Sequence, residues 1–318
     1  MILVVGAGAF GTALAIALAQ AGRDVQLWAR DKQHVAAMQA TRRNDARLPG
    51  VTLPENIAVT ADLPAMAEAV LLALPMQSLA GALPDMASVL DGLPLVACCK
   101  GIDLSTGKGP TALLAKACPK STHAVLTGPS FAADIARGLP TALTLACSNK
   151  TDGEALQRLI STLTLRIYRT TDVIGAELGG ALKNVVAIAA GVVVGAGLGE
   201  SARAALLTRG YAEMVRAAQS LGARPETLAG LSGLGDLVLT CTSDQSRNFR
   251  HGHTLASNQS FDPSITVEGV ATAQAMAKLA ASHGLDLPIT TMVAALTTGK
   301  VTLNQAVQSL MSRPLKQE

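Results

Sequence analysis

A glycine-rich hexapeptide near the start of the chain constrains the fold most. Residues 6–11 read G-A-G-A-F-G; they follow an apolar run at 2–5 that predicts a buried strand, and they open a helix-forming segment. In this context Gly6 permits a tight turn, Gly8 lets the backbone approach a diphosphate, and Gly11 lets the helix pack closely on the strand. Free N–H groups at the helix start would face the phosphates. The motif therefore predicts a dinucleotide-binding α/β domain.

Apolar runs alternate with helix-forming segments as far as residue 171, and beyond it the pattern is nearly all helical. Further strands are predicted at 25–28, 70–74, 95–99, 124–126, 141–146 and 165–170. The predicted helices of the second half are 176–195, 202–221, 234–241, 246–257, 270–282, 289–296 and 303–311. We therefore expect an α/β chain with two domains. A Rossmann-like, doubly wound and mostly parallel sheet of six to eight strands occupies 1–171, and an all-α domain occupies 172–318.

Composition argues against several kinds of partner. The 318 residues are 49% hydrophobic and carry a net charge of +3, without a Lys/Arg block interleaved with aromatic residues, so we expect no nucleic acid. The five cysteines are odd in number and form no C-x-x-C pair, which is typical of a reduced, intracellular chain. His251 and His253 lack a third ligand nearby, so no metal site is expected. No signal peptide is evident, and we expect a cytoplasmic location.

A long apolar run at 185–198 raises the question of a membrane span. It is shorter than the roughly 20 residues that a bilayer requires, so we expect no span. Gly191, Gly195 and Gly199 recur every four residues around it. This spacing predicts one smooth helix face that lets another backbone approach closely.

Lys183 is the only charged residue between Glu177 and Glu200. A lone ammonium in such apolar surroundings is unfavourable unless it has a role. Lys183 either extends to the surface from a buried helix or lies at the floor of an active site. Asn184 follows it and supplies a donor and an acceptor beside the charge.

The residues after the predicted strand at 25–28 bear on the choice of nucleotide. An acidic residue at this strand end would bind the ribose hydroxyls of NAD, but the sequence places Ala29 and Arg30 there, then Asp31. Arg30 can pair with the 2′-phosphate of NADP, and His34 could reach the same region. The alternatives are a solvated Arg30 and a surface His34. The sequence favours NADP over NAD.

Other candidates follow the later strands. Residues 75–77 should line the crevice beyond the strand ends, and Lys100, directly after the strand at 95–99, should point into it and hold an anionic substrate group. Residues 127–132 read T-G-P-S-F-A, and this run of small residues suggests backbone close to a ligand. An ordinary tight turn is the alternative.

Two clusters in the helical half carry polar groups suited to chemistry. Asp236 and Thr240 are four residues apart and share a face if helical. In Ser246-Arg247-Asn248, the arginine offers a planar fork suited to a phosphate, and its neighbours add neutral donors. The alternative for this second cluster is a helix N-cap with a solvated arginine.

In this order the residues resemble the bacterial-type NAD(P)-dependent glycerol-3-phosphate dehydrogenases over nearly the whole chain. The resemblance rests on 6–11, Lys100-Gly101, G-P-S-F-A at 128–132, L-K-N at 182–184, G-L-G-D-L at 233–237, T-C-T at 240–242, S-R-N at 246–248 and V-E-G at 267–269. Phe10 stands where this family often has Trp or Tyr, and Asp134 where Glu is common. Neither departure removes a needed functional group.

The resemblance implies an activity. It implies interconversion of dihydroxyacetone phosphate and sn-glycerol 3-phosphate by hydride transfer with NAD(P)H. It also implies the reductive direction, a supply of glycerol 3-phosphate for phospholipid synthesis, and a homodimer.

The resemblance further implies roles for single residues. Lys183 would be the general acid/base, and the other members of the catalytic set would be Lys100, Asp236 and Thr240. The substrate-binding set would be Lys100, Gly128, Ser130, Lys183, Asp236, Ser246, Arg247 and Asn248. With the residues already considered, the cofactor-binding set becomes Gly6, Gly8, Ala9, Phe10, Gly11, Arg30, His34, Lys100, Ala132, Arg247 and Glu268.

Two other functions use the same two-domain plan. The β-hydroxyacid and ketopantoate types of dehydrogenase act on substrates with a carboxylate instead of a phosphate. A nucleotide-sensing module would bind NADP and a partner protein without needing a buried Lys183.

Overall fold

The computed structural model describes residues 1–257, 259–263 and 265–312. The first part of the chain, up to residue 170, is an α/β region. Its strands are β1 (Ile2–Val5), β2 (Val25–Trp28), β3 (Arg43–Asn44), β4 (Leu48–Thr52), β5 (Ile57–Thr60), β6 (Ala69–Leu72), β7 (Leu95–Ala97), β8 (His123–Thr127), β9 (Thr141–Cys147) and β10 (Leu165–Thr170). Its helices are α1 (Ala9–Gln20), α2 (Lys32–Thr41), α3 (Met76–Leu90), α4 (Pro110–Ala117), α5 (Ala132–Ala136) and α6 (Lys150–Ile160).

Eight of the strands form one sheet in the order β10-β9-β8-β7-β6-β1-β2-β5. From β5 to β8 every pairing is parallel, which gives the doubly wound order, while β9 runs antiparallel to β8 and pairs in parallel with β10. The central strands β1 and β6 are buried along their whole length, as expected for a sheet covered on both faces. The prediction of a mostly parallel sheet with six to eight strands is confirmed.

The sequence patterns missed one strand of this sheet and a small hairpin. β5 is an edge strand of four residues with alternating burial, too short for its pattern to stand out. Strands β3 and β4 pair antiparallel in a separate two-stranded sheet, with Asn44 opposite Leu48. This β3–β4 hairpin lies between α2 and β5.

The second half is helical in the described residues. Its helices are α7 (Val173–Gly195), α8 (Glu200–Ser220), α9 (Pro225–Ala229), α10 (Asp236–Cys241), α11 (Arg247–Ala256), α12 (Glu268–His283), α13 (Pro288–Thr297) and α14 (Leu303–Met311), with a π-helical segment at Leu231–Gly235. This confirms the predicted change of pattern. The domain boundary at 171/172 stays a prediction.

Helix α7 is the centre of the helical half. By length and composition it could cross a membrane, but 83% of its apolar window is buried inside the protein. Helices α8, α10, α11, α12 and α13 all pack against it. Its burial among these helices gives it the character of a core helix of a globular fold.

Glycines let α7 and α11 approach until their backbones touch. A Cβ atom on Gly191 would lie 2.0 Å from the carbonyl oxygen of Phe249, and one on Gly195 would lie 2.4 Å from that of His253. From the other side, a Cβ on Gly252 would lie 1.9 Å from the carbonyl oxygen of Ile188. The predicted glycine face is confirmed for these two positions of α7. It is wrong for Gly199, which precedes α8 with a positive φ and open space around it.

We expect Gly252→Ala to lower the free energy of unfolding by about 1–3 kcal/mol, because the added methyl group must push α11 away from α7. Urea denaturation measures this change. Gly81→Ala is the matched control. Gly81 lies exposed in α3, and in the described part of the chain no packing neighbour lies within 4 Å of its Cβ position, so alanine should stabilise the protein by about 0.5–1 kcal/mol. Equal effects of the two substitutions would contradict the close backbone contact.

Candidate active site

Two lysines and an aspartate from distant parts of the chain meet beyond the carboxyl end of β7. The Nζ atom of Lys183, in α7, lies 3.0 Å from Asp236 Oδ1. The Nζ atom of Lys100 lies 2.5 Å from Asp236 Oδ2. Asp236 begins α10 and is 1% exposed, and Lys183 is 7% exposed. The interpretation of Lys183 as a snorkelling surface lysine is therefore wrong.

The three side chains carry two positive charges and one negative charge. Burial alone would raise the pKa of Asp236, but the ammonium groups of Lys100 and Lys183 lower it below its ordinary value. The carboxylate therefore stays ionised. The remaining positive charge makes the cluster suited to an anionic ligand or to an oxygen that becomes negative during a reaction.

Burial is also the main influence on Lys183. It lowers the pKa of the Lys183 ammonium from 10.5 to about 8, with Asp236 acting to raise that pKa and Lys100 acting to lower it. A group with this pKa can give up or take a proton near neutral pH.

Thr240 completes the surroundings of Lys183. The ammonium donates a hydrogen bond of 2.7 Å to Thr240 Oγ1, and that hydroxyl donates to Asp236 Oδ1 at 3.2 Å. Asp236 and Thr240 share one face of α10, as their spacing predicts. Two of the three N–H bonds of Lys183 are thus directed at Thr240 and Asp236, and one is left for a substrate.

The π-helical segment before α10 brings Asp236 up to α7. A Cβ atom on Gly179 of α7 would lie 2.7 Å from the carbonyl oxygen of Ser232 in this segment. A Cβ on Gly233 would lie 2.0 Å from the carbonyl oxygen of Leu228. Both positions require glycine. Gly179 makes room for the segment on α7, and Gly233 within the segment L-S-G-L-G permits the wide turn that places Asp236 beside α7.

Lys100 also contacts the turn after β8. Its Nζ atom donates to the carbonyl oxygen of Gly128 at 2.9 Å, and the Ser130 hydroxyl donates to the same oxygen at 3.1 Å. Gly128 has a φ of 135°, and a Cβ there would lie 3.2 Å from Leu143 Cα. Lys100 therefore connects the turn at Gly128 and Ser130 to Asp236, and the substrate-binding roles of these residues stay predictions.

The Ser246-Arg247-Asn248 cluster lies at the start of α11. Ser246 accepts a hydrogen bond from the Phe249 N–H at 3.2 Å, so the N-cap interpretation holds for its hydroxyl. Arg247 is exposed as a residue, yet burial of its guanidinium lowers the pKa of that group, and Glu268 acts to raise it. The planar guanidinium of Arg247 has the donor geometry that suits a phosphate.

Asn248 joins three helices, a role that the sequence did not reveal. Its amide donates to Asn184 Oδ1 in α7 at 2.8 Å, and its Oδ1 accepts from the Gly269 N–H in α12 at 2.9 Å. One N–H of the amide is left over for a ligand. The neighbour of Lys183 and the neighbour of Glu268 are thereby linked through one side chain.

The glycine-rich turn has the geometry that a diphosphate requires. Gly6 has a φ of 111°, and a Cβ there would lie 2.8 Å from the carbonyl oxygen of Ala73. A Cβ on Gly11 would lie 2.0 Å from the carbonyl oxygen of Gly6, whereas no atom lies within 4 Å of the Cβ position on Gly8. The half-buried Ala9 and Phe10 begin α1. The turn thus leaves the approach to Gly8 open at a helix N-terminus.

Arg30 and His34 lie at the start of α2, beyond the carboxyl end of β2. Arg30 is exposed, and the carboxylate of Asp31 caps α2 by accepting from the Gln33 and His34 N–H groups at 2.9 and 3.3 Å. The His34 Nε2 atom is buried without a hydrogen-bond partner among the described residues. A bound nucleotide could supply that partner.

Glu268 begins α12, and its carboxylate contacts the start of α3. Glu268 Oε1 accepts from the Met76 N–H at the start of α3 at 3.0 Å, while Oε2 is buried without a partner in the described part of the chain. Burial raises the pKa of Glu268, although Met76 and Arg247 act to lower it. Ala132 begins α5. The open approach to Gly8 and the unpaired oxygen of Glu268 both fit a dinucleotide.

The His251 ring of α11 has an aromatic partner. The His251 ring packs edge-on against Phe261 with 4.9 Å between ring centres. Within the described ranges, no group of three or more His, Cys, Asp and Glu side chains is arranged to hold a metal ion.

Comparison with known proteins places both halves of the chain in one family. Residues 1–152 match the model of the NAD-dependent glycerol-3-phosphate dehydrogenase N-terminus, and residues 172–308 match the model of its C-terminus. The chain is 65% identical to a glycerol-3-phosphate dehydrogenase (NAD(P)+) of Cereibacter sphaeroides, and the alignment covers 100% of both chains. It is 58% identical to one of Ruegeria, covering 100% of this chain and 99% of the relative.

A solved structure agrees. Glycerol-3-phosphate dehydrogenase from Coxiella burnetii is 36% identical, superposes with a TM-score of 0.92, and covers 98% of each chain.

We expect the Lys183 Cε resonance, identified by its absence from Lys183→Met, to titrate in carbon NMR with a midpoint near pH 8. Asp236→Asn should lower this midpoint, because the carboxylate favours the ammonium form, and Lys100→Met should raise it, because a second positive charge is removed. A midpoint near 10.5, or shifts of the same sign in both variants, would contradict the described cluster.

Proposed function

The chain belongs to the NAD-dependent glycerol-3-phosphate dehydrogenase family, and we propose that Lys183 is the acid/base of its reaction. The enzyme interconverts dihydroxyacetone phosphate and glycerol 3-phosphate with NAD(P)H. This membership sets aside both the carboxylate-substrate dehydrogenases and the nucleotide-sensing module. The observation that carries the residue assignment is the buried Lys183–Asp236–Thr240 cluster.

Lys183 acts on the carbonyl oxygen of the substrate. Bound NAD(P)H supplies the hydride that adds to the carbonyl carbon. The free N–H of the Lys183 ammonium donates to the carbonyl oxygen and gives it a proton as negative charge develops there. In the oxidative direction, neutral Lys183 takes the hydroxyl proton. Thr240 and Asp236 fix the ammonium in place through the two bonds that they accept.

Lys100 and the start of α11 serve to bind substrate. Lys100 donates to Asp236 and to Gly128, which leaves one N–H for a substrate oxygen. The guanidinium of Arg247 and the spare N–H of Asn248 suit the phosphate. Because the phosphate supplies binding energy away from the reacting carbon, a substrate without it should lose kcat as well as affinity.

The nucleotide lies along the carboxyl edge of the sheet in this proposal. Gly6, Gly8 and Gly11 form the diphosphate turn, and the unpaired Oε2 of Glu268 is available to the nicotinamide end. Arg30 would pair with a 2′-phosphate, which favours NADP over NAD.

We also propose a cytoplasmic homodimer that supplies glycerol 3-phosphate for phospholipid synthesis. The family resemblance supports the dimer and the pathway. All five cysteines are buried and free, which suits a reducing compartment. Sedimentation equilibrium tests the dimer, which should have twice the 32.4 kDa chain mass; a species at the chain mass would contradict it.

We expect Lys183→Met to lower kcat for reduction of dihydroxyacetone phosphate by about a thousandfold or more, because the proton donor is lost. The Kd for NADPH, measured by fluorescence titration, should be unchanged. Lys278→Met is the control, since Lys278 is exposed on α12 and should be dispensable. A Lys183 variant that keeps a tenth of the wild-type rate would refute the acid/base role.

We expect Arg30→Ala to raise the KM for NADPH about tenfold and to leave the KM for NADH within twofold, because NADH has no 2′-phosphate. Initial rates with each nucleotide measure this difference. If the KM values for NADPH and NADH rise together, Arg30 does not bind the 2′-phosphate.

A further inference from the structure

The β3–β4 hairpin contains a buried polar residue that the dehydrogenase assignment leaves unexplained. Asn44 is 1% exposed and lies in a strand of two residues. Two contacts hold the hairpin in place. The Leu53 N–H donates to the carbonyl oxygen of Arg42 at 2.7 Å and closes the hairpin at its ends, and Leu48 is buried in the core beside α1. These contacts fix the position of the backbone that carries Asn44.

The amide nitrogen of Asn44 points at the glycine-rich turn. Nδ2 donates to the carbonyl oxygen of Ala7 at 2.9 Å and to Thr12 Oγ1 at 2.7 Å. The opposite orientation of the amide would set two acceptor oxygens, Asn44 Oδ1 and Ala7 O, against each other. The hydrogen-bond pattern therefore fixes which end of the amide faces the turn. Both of its N–H bonds are used there.

Holding Ala7 O determines where the next N–H points. The carbonyl of Ala7 and the N–H of Gly8 belong to one planar trans peptide unit, so they point in opposite directions. With Ala7 O held towards Asn44, the Gly8 N–H is turned away from the hairpin. Of the three glycines Gly6, Gly8 and Gly11, Gly8 is the one with open space around its Cβ position among the described residues, and it lies at the N-terminus of α1.

We propose that Asn44 is a positioning residue for dinucleotide binding. It locks the Ala7–Gly8 peptide in the orientation that presents the Gly8 N–H to the diphosphate, and through Thr12 it ties the first turn of α1 to the same side chain. The diphosphate is common to both nucleotides, so Asn44 contributes equally to NAD and NADP binding. This inference rests on the proposed diphosphate site at 6–11.

Asn56 offers a matched control within the same helix environment. Its Nδ2 also donates to two backbone carbonyl oxygens, those of Ala19 and Arg23, each at 2.9 Å. These lie at the opposite end of α1, away from the glycine-rich turn. Asn56→Ala therefore removes the same kind of bonds and should lower the melting temperature without affecting nucleotide binding.

The test is fluorescence titration of the full chain with NADPH and NADH, and competition by 2′-AMP, which has the 2′-phosphate but no diphosphate. In Asn44→Ala, and in the isosteric Asn44→Asp that cannot donate, the Kd for both dinucleotides should rise about tenfold. The affinity for 2′-AMP and the KM for dihydroxyacetone phosphate should stay within twofold.

Three results would overturn the proposal. They are an unchanged Kd for the dinucleotides in both Asn44 variants, an equal loss of 2′-AMP binding, or an equal loss of dinucleotide binding in Asn56→Ala. Failure of the wild-type protein to bind NADPH or NADH would instead refute the proposed diphosphate site itself.

Discussion

Asp236 lies buried between the ammonium groups of Lys100 and Lys183, 2.5 and 3.0 Å from them. This contact connects the carboxyl edge of the sheet, the central helix α7 and the start of α10. Removing one partner from such a group leaves an uncompensated charge, so the three side chains form one unit. The unit keeps a positive charge, and the burial of Lys183 lowers the pKa of its ammonium group to about 8, which makes a proton available to a substrate oxygen.

The position of this unit depends on how closely backbones pack around α7. Gly179 admits the π-helical segment that carries Asp236, and Gly191 admits α11, which carries Asn248. The chain has few aromatic residues and 29 glycines, so its helices meet through small residues at short range. A shift of one helix would move Lys183 relative to the crevice, and rates are sensitive to such displacements.

Local patterns in the sequence predicted candidate residues that lie on a regular element or directly after a strand. The hexapeptide 6–11, Lys100 at a strand end and Lys183 in an apolar helix each carried their own signal. No local sequence pattern predicted the hydrogen bonds of Asn248 to Asn184 or of Asn44 to the glycine-rich turn, because each joins residues that are distant in sequence through tertiary packing. Edge strand β5 was missed because four residues give a weak period, and the prediction for Gly199 failed because α7 had already ended at Gly195.

The pH dependence of kcat/KM in both directions tests the role of Lys183 most directly. Reduction needs the ammonium, so its rate should fall as pH rises through about 8; oxidation needs the neutral amine, so its rate should rise over the same interval. The opposite signs separate a proton donor and acceptor from a group that only binds substrate. The inflection should lie within about one pH unit of the Lys183 pKa, which is roughly the interval from pH 7 to 9. Two profiles that fall together, or that show no inflection in this interval, would contradict the acid/base role of Lys183.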